Sequence, residues 1–260
     1  MSTRMTEEDW EHTLSVFRAC LPRRGRKAGD DRLFLEAMHF FTVENVRWRA
    51  LPEALRTLEL GMEALRPAEQ GGRVRGLFRH AGGDERVGSP DPDVRLHHRS
   101  RPRLGSGRKR GQQGQGLGRS RGGFTTKIHA KADSSGDIIA FDLTGGEASD
   151  ARHFETLLDI GPDITPRAAL GDKGYSSKAN RAAARVRGIV PVIPYKANEK
   201  NKPVFFAKTL YKARSRIEQG FGRIKRFKRV ALRCEKTAQN FRSIVSFAAG
   251  LCLIKFVHTT

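Results

Sequence analysis

The sequence predicts an α/β protein with a mixed sheet and flanking helices, and the pattern of residues 124–194 carries this prediction. Segments of strand length at 124–131, 137–144, 167–170 and 189–194 are apolar or alternate in polarity. A Ser-Ser-Gly turn joins the first two, and a segment of helical periodicity precedes each of the last two. Strands that alternate with helices in this way are typical of α/β layers with a mixed sheet.

A small helical region is predicted for residues 1–55. Trp10, Leu14 and Phe17 keep helical spacing, and Asp30 is placed to cap a second amphipathic helix. We expect the aromatic side chains of this region to form a core rather than a platform for nucleic-acid bases.

The character of the chain changes at residues 56–115. This segment is basic and rich in Arg, Gly, Pro and His, and it keeps no helical or strand period. One interpretation is a disordered linker that coats phosphates. A structureless stretch of this length is unusual inside a compact protein. Residues 116–260 then form the predicted α/β domain.

The apolar segment at residues 243–257 predicts a buried closing helix. It is interrupted by Lys255 and is shorter than the roughly 20 residues that a membrane span requires. We therefore expect no association with a membrane.

The composition points to a nucleic-acid partner. The formal net charge is +21 and the pI is about 10.7, which is typical of proteins that bind a polyanion, ribosomal and chromatin-type proteins included. The three cysteines are far apart and form no CxxC pair. Neither a zinc site nor a disulfide framework is indicated, and a reducing compartment fits.

The stretch from Tyr211 to Lys225 contains a single carboxylate, Glu218, among many cations. On a continuous helix Tyr211, Arg214, Glu218 and Lys225 would share one face. An isolated acid in a positive field is well explained as a metal ligand held over a phosphate backbone. The alternative is a solvated basic helix with one intrahelical ion pair, and the charge pattern leaves both open.

A second candidate acid, Asp172, directly follows a short buried strand in the segment Gly-Asp-Lys-Gly-Tyr. Reactive groups of α/β sheets cluster at strand ends. Taken alone, Asp172 could simply cap the helix that starts near Ser176. Paired with a helix-borne Glu218 among cations, it fits two-metal phosphoryl transfer, in which carboxylates hold two Mg²⁺ ions about 3.5–4 Å apart.

The spacing Tyr211-x2-Arg214-x3-Glu218-x6-Lys225, together with Asp172-x-Gly-Tyr, resembles the signature of bacterial insertion-sequence transposases of the D-D-E class. Within that class the chain looks closest to the insertion-sequence-five family. Further similarity covers residues 31–37, 48–52, 117–123, 125–129 and 143–148, so the resemblance extends over about 1–55 and 111–260.

The resemblance implies a ribonuclease-H-like fold and a catalytic triad that binds Mg²⁺ or Mn²⁺, with Asp172 as its second acid and Glu218 as its third. Tyr211, Arg214 and Lys225 would contact the DNA strand, and further cations follow at Arg223, Arg226, Lys228 and Arg229. It also implies double-stranded DNA as partner, both the terminal inverted repeats of the element and the target. We expect a homo-oligomer when active, in the bacterial cytoplasm and associated with the nucleoid when bound to DNA.

The first acid of the triad is missing from the sequence. In the family it lies on a first strand before residue 124, followed by Ser or Thr. The nearest acids, Asp91 and Asp93, do not match this motif, and Pro90 and Pro92 disfavour strand pairing. We therefore expect the first strand to be missing or corrupted. The sheet would then have an exposed edge, and the protein would be poorly soluble.

A frameshift offers an explanation for the missing acid. If the codons for residues 93–99 are read one base later, their degeneracy permits Met-Phe-Asp-Ser-Thr-Ile-Val, which is the expected motif. GC-rich coding DNA that is translated out of frame also yields aperiodic amino-acid sequences rich in Arg, Gly and Pro. Our hypothesis is that residues 56–110 are frameshifted, and the alternative is a genuine basic linker.

The predicted function is accordingly that of an insertion-sequence transposase, possessing two of its three acids. The alternative, from another class, is a non-catalytic basic DNA-binding protein or an inhibitor of an intact transposase. A generic RNA-binding protein is a third and weaker possibility, because it gives Asp172 and Glu218 no role.

Overall fold

The structure is a computed structural model, and it describes residues 4–20, 30–56, 93–101, 115–120, 123–200 and 202–257. The chain divides into two compact units. The helical unit comprises Met1–Glu85, Gln113–Gln115 and Arg223–Thr260, and the sheet unit comprises Arg86–Gln112 and Gly116–Gly222. This division differs from the predicted boundaries at 55 and 115, because the C-terminal helices belong to the same unit as the N-terminal ones.

The described helices of the helical unit range from a single turn to the 20 residues of the last helix. They are α1 (Glu7–Ala19), α2 (Asp31–Glu44), a 3-10 turn (Trp48–Ala50), α3 (Glu53–Arg56), α8 (Lys228–Leu232) and α9 (Ala238–Val257). Asp30 accepts a hydrogen bond from the Leu33 amide at 3.0 Å, so its predicted role as a helix cap is confirmed.

The core of the helical unit is aromatic and aliphatic. Trp10, Phe17 and Phe34 are buried, as expected for core residues, and α9 buries Phe241 and Phe247 completely. The apolar C-terminal segment is therefore part of a core. Among the described residues, no helix is both long and apolar enough to cross a membrane.

The sheet unit has the predicted mixed α/β architecture. Its strands are β1 (Asp93–Arg101), β2 (Gly118–Ser120), β3 (Gly123–Ala132), β4 (Ile138–Gly145), β5 (Ala168–Gly171) and β6 (Val190–Val192). The order across the sheet is β4-β3-β1-β5-β6, and β2 pairs with the first residues of β3. β3 is antiparallel to both β4 and β1, whereas β1, β5 and β6 are parallel.

The prediction of a missing first strand is wrong for the backbone. β1 pairs with β3 on one side and with β5 on the other, so the expected open edge at the first strand is also wrong. The poor solubility expected from that edge stays a prediction. The prolines weighed against a strand here, but β1 begins at Asp93, immediately after Pro92. No proline therefore has to donate a hydrogen bond within the ladder. The remainder of the predicted frameshifted segment, residues 57–92 and 102–110, lies outside the described residues.

Helices lie along both faces of the sheet, as the two sets of core contacts show. Ala169 of β5 packs with Phe154 and Leu157 of α4 (Phe154–Asp159) and with Ala184 of α5 (Lys178–Val186). Its neighbours Ala168 and Leu170 pack on the opposite face, where they meet partly buried residues 206–213. This alternation follows from the strand period of two.

Residues 211–225 do not form one continuous helix. The chain instead forms α6 (Lys208–Lys212) and α7 (Ser215–Lys225), followed by α8. Arg214 and Ile217 donate backbone hydrogen bonds three residues back, to Tyr211 and Arg214, so the turn between α6 and α7 is tighter than an α-helix. The helical direction persists through this turn, and the division between the two units falls within α7, after Gly222.

Candidate active site

Asp172 lies at the carboxyl end of β5, where the chain leaves the sheet. Its Oδ1 accepts a hydrogen bond from the Gly174 amide at 2.8 Å and caps the 3-10 turn Lys173–Tyr175. The next helix, α5, has its own cap, because the Ser177 side chain accepts from the Asn180 amide at 3.0 Å. Asp172 is thus not the cap of α5, and its carboxylate stays partly exposed at the sheet edge.

A second carboxylate, Asp150, lies beside Asp172 and was not predicted as a site residue. A Cβ at Gly174 would be 2.9 Å from Asp172 Oδ1 and 3.2 Å from Asp150 Oδ2, so both acids border the same small space. We expected Asp150 to cap a helix, but its side chain makes no cap hydrogen bond. It is instead paired with Lys127, whose Nζ is 3.0 Å from Asp150 Oδ1. The signal available in the sequence was its position just after the family-like segment 143–148.

Tyr175 is a buried neighbour of these two acids. Its side chain is fully buried, and its hydroxyl has no hydrogen-bond partner among the described residues. Burial raises the pKa of the Tyr175 hydroxyl well above its ordinary value, and the negative charges of Asp150 and Asp172 raise it further. The Tyr175 hydroxyl is therefore neutral at neutral pH.

Glu218 lies in the first turn of α7 and is half exposed, with 51% of its side chain accessible. Its Oε1 is 3.3 Å from Arg214 Nη2, and the Arg214 guanidinium lies 5.8 Å from the centre of the Tyr211 ring. Three of the four residues predicted to share one face are thus in contact despite the break between α6 and α7.

The alternation of side chains along β5 places Asp172 on the same side of the sheet as Leu170. Leu170 belongs to the core cluster that includes Tyr211 and Ala213. Asp172 follows Leu170 by two residues in extended backbone, so alternation directs it toward the face covered by α6.

The remaining predicted DNA-binding cations lie in different surroundings. Arg223 and Lys225 are half-buried on α7, and Arg226 is exposed. Lys228 forms an exposed ion pair with Glu44 at 2.5 Å. Arg229 is an internal group of the helical unit, because it pairs with the buried Glu235 and lies 3.7 Å from the Phe41 ring centre.

The described acids do not complete a metal site. Carboxylate oxygens are the donors that Mg²⁺ prefers, and Asp172 and Asp150 supply two such groups. Asp150, however, is already neutralised by Lys127. Within the described part of the chain, no group of three or more His, Cys, Asp or Glu side chains could hold a metal ion.

Comparison with known proteins identifies the family. A sequence model of the transposase DDE domain matches residues 91–253, which is more than half of the chain. The chain belongs to the DDE transposase family. The match starts just before β1 and ends in α9, so it includes Asp172, Glu218 and every strand of the sheet. Transposases of this family generally use divalent metal ions.

Two named relatives place this transposase-family chain among insertion sequences. It is 30% identical over 138 residues to a protein named as the transposase for insertion sequence element IS402 from Burkholderia cepacia, a match that covers 50% of this chain and 62% of the relative. It is 30% identical over 143 residues to a protein named as the transposase for IS6501 from Brucella ovis, covering 51% of this chain and 100% of the relative. These similarities favour a transposase over a merely basic DNA-binding protein.

Proposed function

We propose that this chain is an insertion-sequence transposase that retains the second and third acids of its catalytic triad, Asp172 and Glu218, and lacks the first. The complete enzyme would cut DNA at the ends of its element and join the freed 3′-hydroxyl to target DNA. Both steps are in-line phosphoryl transfers, in which catalysis is positioning plus stabilisation of charge on the phosphoryl oxygens.

The contacts of Glu218 are the observation that carries this proposal. Arg214 holds the Glu218 carboxylate at 3.3 Å and lies over Tyr211, whose ring is in the core cluster of Leu170. Tyr211 and Arg214 therefore connect Glu218 to the strand that ends at Asp172. A carboxylate positioned in this way is suited to hold a divalent metal ion, while the cations around it are suited to a phosphate backbone.

The order of the sheet supports a ribonuclease-H-like fold for this unit. An antiparallel pair, β4 and β3, continues into the parallel strands β1, β5 and β6. Asp172 follows β5, and Glu218 lies on a helix after the last strand. This is the arrangement that the resemblance to the insertion-sequence-five family implies.

The register of β1 supports a first acid at position 95. Arg95 pairs with Leu170 and Asp93 pairs with Ala168. Position 95 is thus two residues before the level of Asp172, about 7 Å along the strand, whereas Asp93 is four residues, or about 13 Å, away. An even separation also places position 95 and Asp172 on the same side of the sheet. Asp93 is too far away to act with Asp172.

The alternative reading frame places its Asp at position 95. In the heptapeptide that begins at residue 93, Asp is the third residue. The strand register is compatible with this position, because position 95 lies on the same side of the sheet as Asp172 and two residues before its level. We therefore retain the frameshift as the explanation for the missing acid.

The proposed partner is double-stranded DNA, at the terminal inverted repeats of the element and at the target. The proposed contacts to its backbone are Tyr211, Arg214, Arg223, Lys225, Arg226 and Lys228. Arg229 is left out of this set because it pairs with Glu235 and lies over the Phe41 ring. We further propose a homo-oligomer when active, in the cytoplasm and on the nucleoid.

The experiment compares the chain as written with a frame-restored chain. Both are incubated with a labelled duplex carrying the element end, in buffer with Mg²⁺ or Mn²⁺, and strand cleavage is followed on a denaturing gel. The expected result is cleavage by the restored chain and none by the chain as written. Cleavage by the chain as written, abolished by Asp172→Ala, would show that another acid fills the first position.

A further inference from the structure

The segment between β6 and α6 exposes two large apolar side chains to solvent. Val204 and Phe205 have relative exposures of 108% and 80%. Their neighbour Phe206 turns inward, where it packs on the core cluster of Leu170 and meets the Tyr211 ring edge-on at 5.4 Å. The fold thus anchors one aromatic residue and leaves the adjacent pair, the apolar tip, without cover among the described residues.

The chain leading to the apolar tip is held by polar contacts. Arg181 stacks 3.8 Å above the Tyr195 ring and is 3.3 Å from Glu199. Ser176 donates to the same glutamate at 2.5 Å, and this hydrogen bond, reinforced by Arg181, lowers the pKa of the Glu199 carboxyl. Lys202, two residues before the tip, donates to the Ala197 carbonyl at 2.8 Å. Loop anchoring of this kind reduces the entropy lost when the tip binds a partner.

The surroundings of the apolar tip are strongly cationic. Five lysines lie between residues 196 and 212, and the only acid in that interval of the sequence is Glu199. All five are exposed: Lys196, Lys200, Lys202, Lys208 and Lys212. An exposed aromatic residue among lysines matches nucleic acid, because cations bind the backbone while the ring stacks on a base.

The contacts of Phe206 also place the apolar tip close to the proposed chemistry. Phe206 touches Tyr211, Arg214 lies over Tyr211, and Arg214 pairs with Glu218. Only the Phe206 residue separates this series of contacts from the tip. The apolar tip is therefore linked through these contacts to Glu218, the glutamate that we propose acts at the cut phosphate.

We infer that Val204 and Phe205 form a wedge that stacks on unpaired DNA bases beside the strand being processed. The inference rests on the proposed function, since a DNA strand must be opened near Glu218 for such bases to exist. The partner is a base, not a phosphate, so the wedge contributes affinity that salt does not screen.

The test measures binding of the full-length protein to three labelled DNAs of mixed sequence: a paired duplex, the same duplex with two unpaired nucleotides, and a single strand. Phe205→Ala is compared with Val186→Ala, whose parent side chain is 87% exposed at the end of α5. We expect Phe205→Ala to bind the single strand and the unpaired duplex about 5- to 150-fold more weakly, the range given by loss of one stacked base. Its binding to paired duplex and the slope of log K against log salt should be unchanged.

A lysine variant and a fluorescent variant complete the test. Lys208→Ala should reduce the salt slope on a single strand by about 0.7, because it removes one phosphate contact. Phe205→Trp should retain binding, and its added fluorescence should be quenched by the single strand, whereas that of Val186→Trp should not. Because Phe205 is exposed, neither change at this position should shift the melting temperature.

Three results separate the possible failures. If the unaltered protein binds none of the DNAs, the proposed function itself is contradicted. If it binds but Phe205→Ala behaves like Val186→Ala on every DNA, only the wedge is overturned. The wedge is also overturned if Phe205→Ala instead dissociates an oligomer in sedimentation while DNA affinity stays the same, since the apolar tip would then contact a second copy.

Discussion

Tyr175 and Lys131 are two polar side chains that lie buried in the sheet unit, where loss of water disfavours their charged forms. Lys131 donates to the carbonyls of Leu158 at 3.1 Å and Ile160 at 2.7 Å, so it closes the end of α4. Burial lowers the pKa of its ammonium group, whereas burial raises the pKa of the Tyr175 hydroxyl. Burial thus disfavours the charged form of each group, and because one is a base and the other an acid, their effects on stability at high pH have opposite signs.

The first prediction concerns Tyr175→Phe. A tyrosine whose folded pKa exceeds its unfolded value of about 10 loses stability as pH rises above 10, by up to about 1.4 kcal/mol per pH unit. The free energy of unfolding in urea should therefore fall less steeply between pH 9 and 11 in the variant than in the parent protein. At pH 8 the variant should be equally stable or up to about 1 kcal/mol more stable, because an unpaired buried hydroxyl is removed.

Tyr195→Phe is the matched control, because it removes a tyrosine hydroxyl that is only half-buried. Identical pH profiles for Tyr175→Phe and the parent protein would contradict the burial of this hydroxyl beside Asp150 and Asp172.

The position of α7 depends on a close backbone contact with the turn between β3 and β4. Gly136, at φ +85°, forms this turn, and a methyl group at Gly220 would overlap its carbonyl oxygen. Arg216, on the same helix, donates to the Ser134 carbonyl at 2.8 Å. The helix that carries Glu218 is thereby fixed against the sheet at two points.

The second prediction compares two glycines of α7. Gly220→Ala should destabilise the protein by about 1–3 kcal/mol, because the helix has to move away from the turn. At Gly222 an added methyl group meets no atom within 4 Å. Gly222→Ala should instead stabilise the helix by about 0.5–1 kcal/mol. Urea unfolding measures both, and equal effects of the two substitutions would contradict the close contact at Gly220.

The strands and helices of the sheet unit could be predicted because their signals are local. Alternation marked β3 and β4, the Ser-Ser-Gly turn marked their connection, and Ser177 marked the start of α5. β1 has no comparable local signal, because its segment is aperiodic. Its pairing with β3 and β5 is a tertiary effect that outweighs weak strand propensity.

The residues of the candidate site also fall into those that local sequence predicts and those that only the fold brings together. Tyr211, Arg214 and Glu218 are close in sequence, so their spacing was enough to predict their contacts. Asp150 and Lys127 come from different elements, and only the folded sheet brings them to Asp172. Arg229 was misassigned because the charge pattern does not distinguish an internal guanidinium from one that faces solvent.

For the whole molecule, a net charge of +21 overstates the charge available to DNA. Several arginines are internal, including Arg181, Arg229 and Arg233. Burial lowers the pKa of Arg233 to about 10, with Glu235 opposing that shift. Residues 196–236 still carry fourteen lysines and arginines against three glutamates, so strong binding to a polyanion is expected.

The third prediction compares an exposed arginine, Arg226, with Arg229, which is paired with the buried Glu235. Duplex binding should weaken steeply with salt, and Arg226→Ala should reduce the slope by about 0.9 through loss of one phosphate contact. Arg229→Ala should leave the slope unchanged and destabilise the protein by about 3 kcal/mol, because Glu235, with 6% of its side chain exposed, loses its ion-pair partner. Fluorescence anisotropy over a salt series and urea unfolding measure these effects. A slope near zero for the parent protein would contradict DNA binding through these cations.

The central claim is that Asp172 and Glu218 act as one catalytic unit, and cleavage by acid variants of the frame-restored chain tests it most directly. Asp172→Asn and Glu218→Gln should each lower the rate of strand cleavage by about 10³-fold or more, and the double variant should be no slower than either, because groups that act together are not additive. Asp163→Asn, a change at an exposed acid of the loop before β5, is the matched control and should cleave at the parent rate. Cleavage that survives either acid substitution would contradict the account.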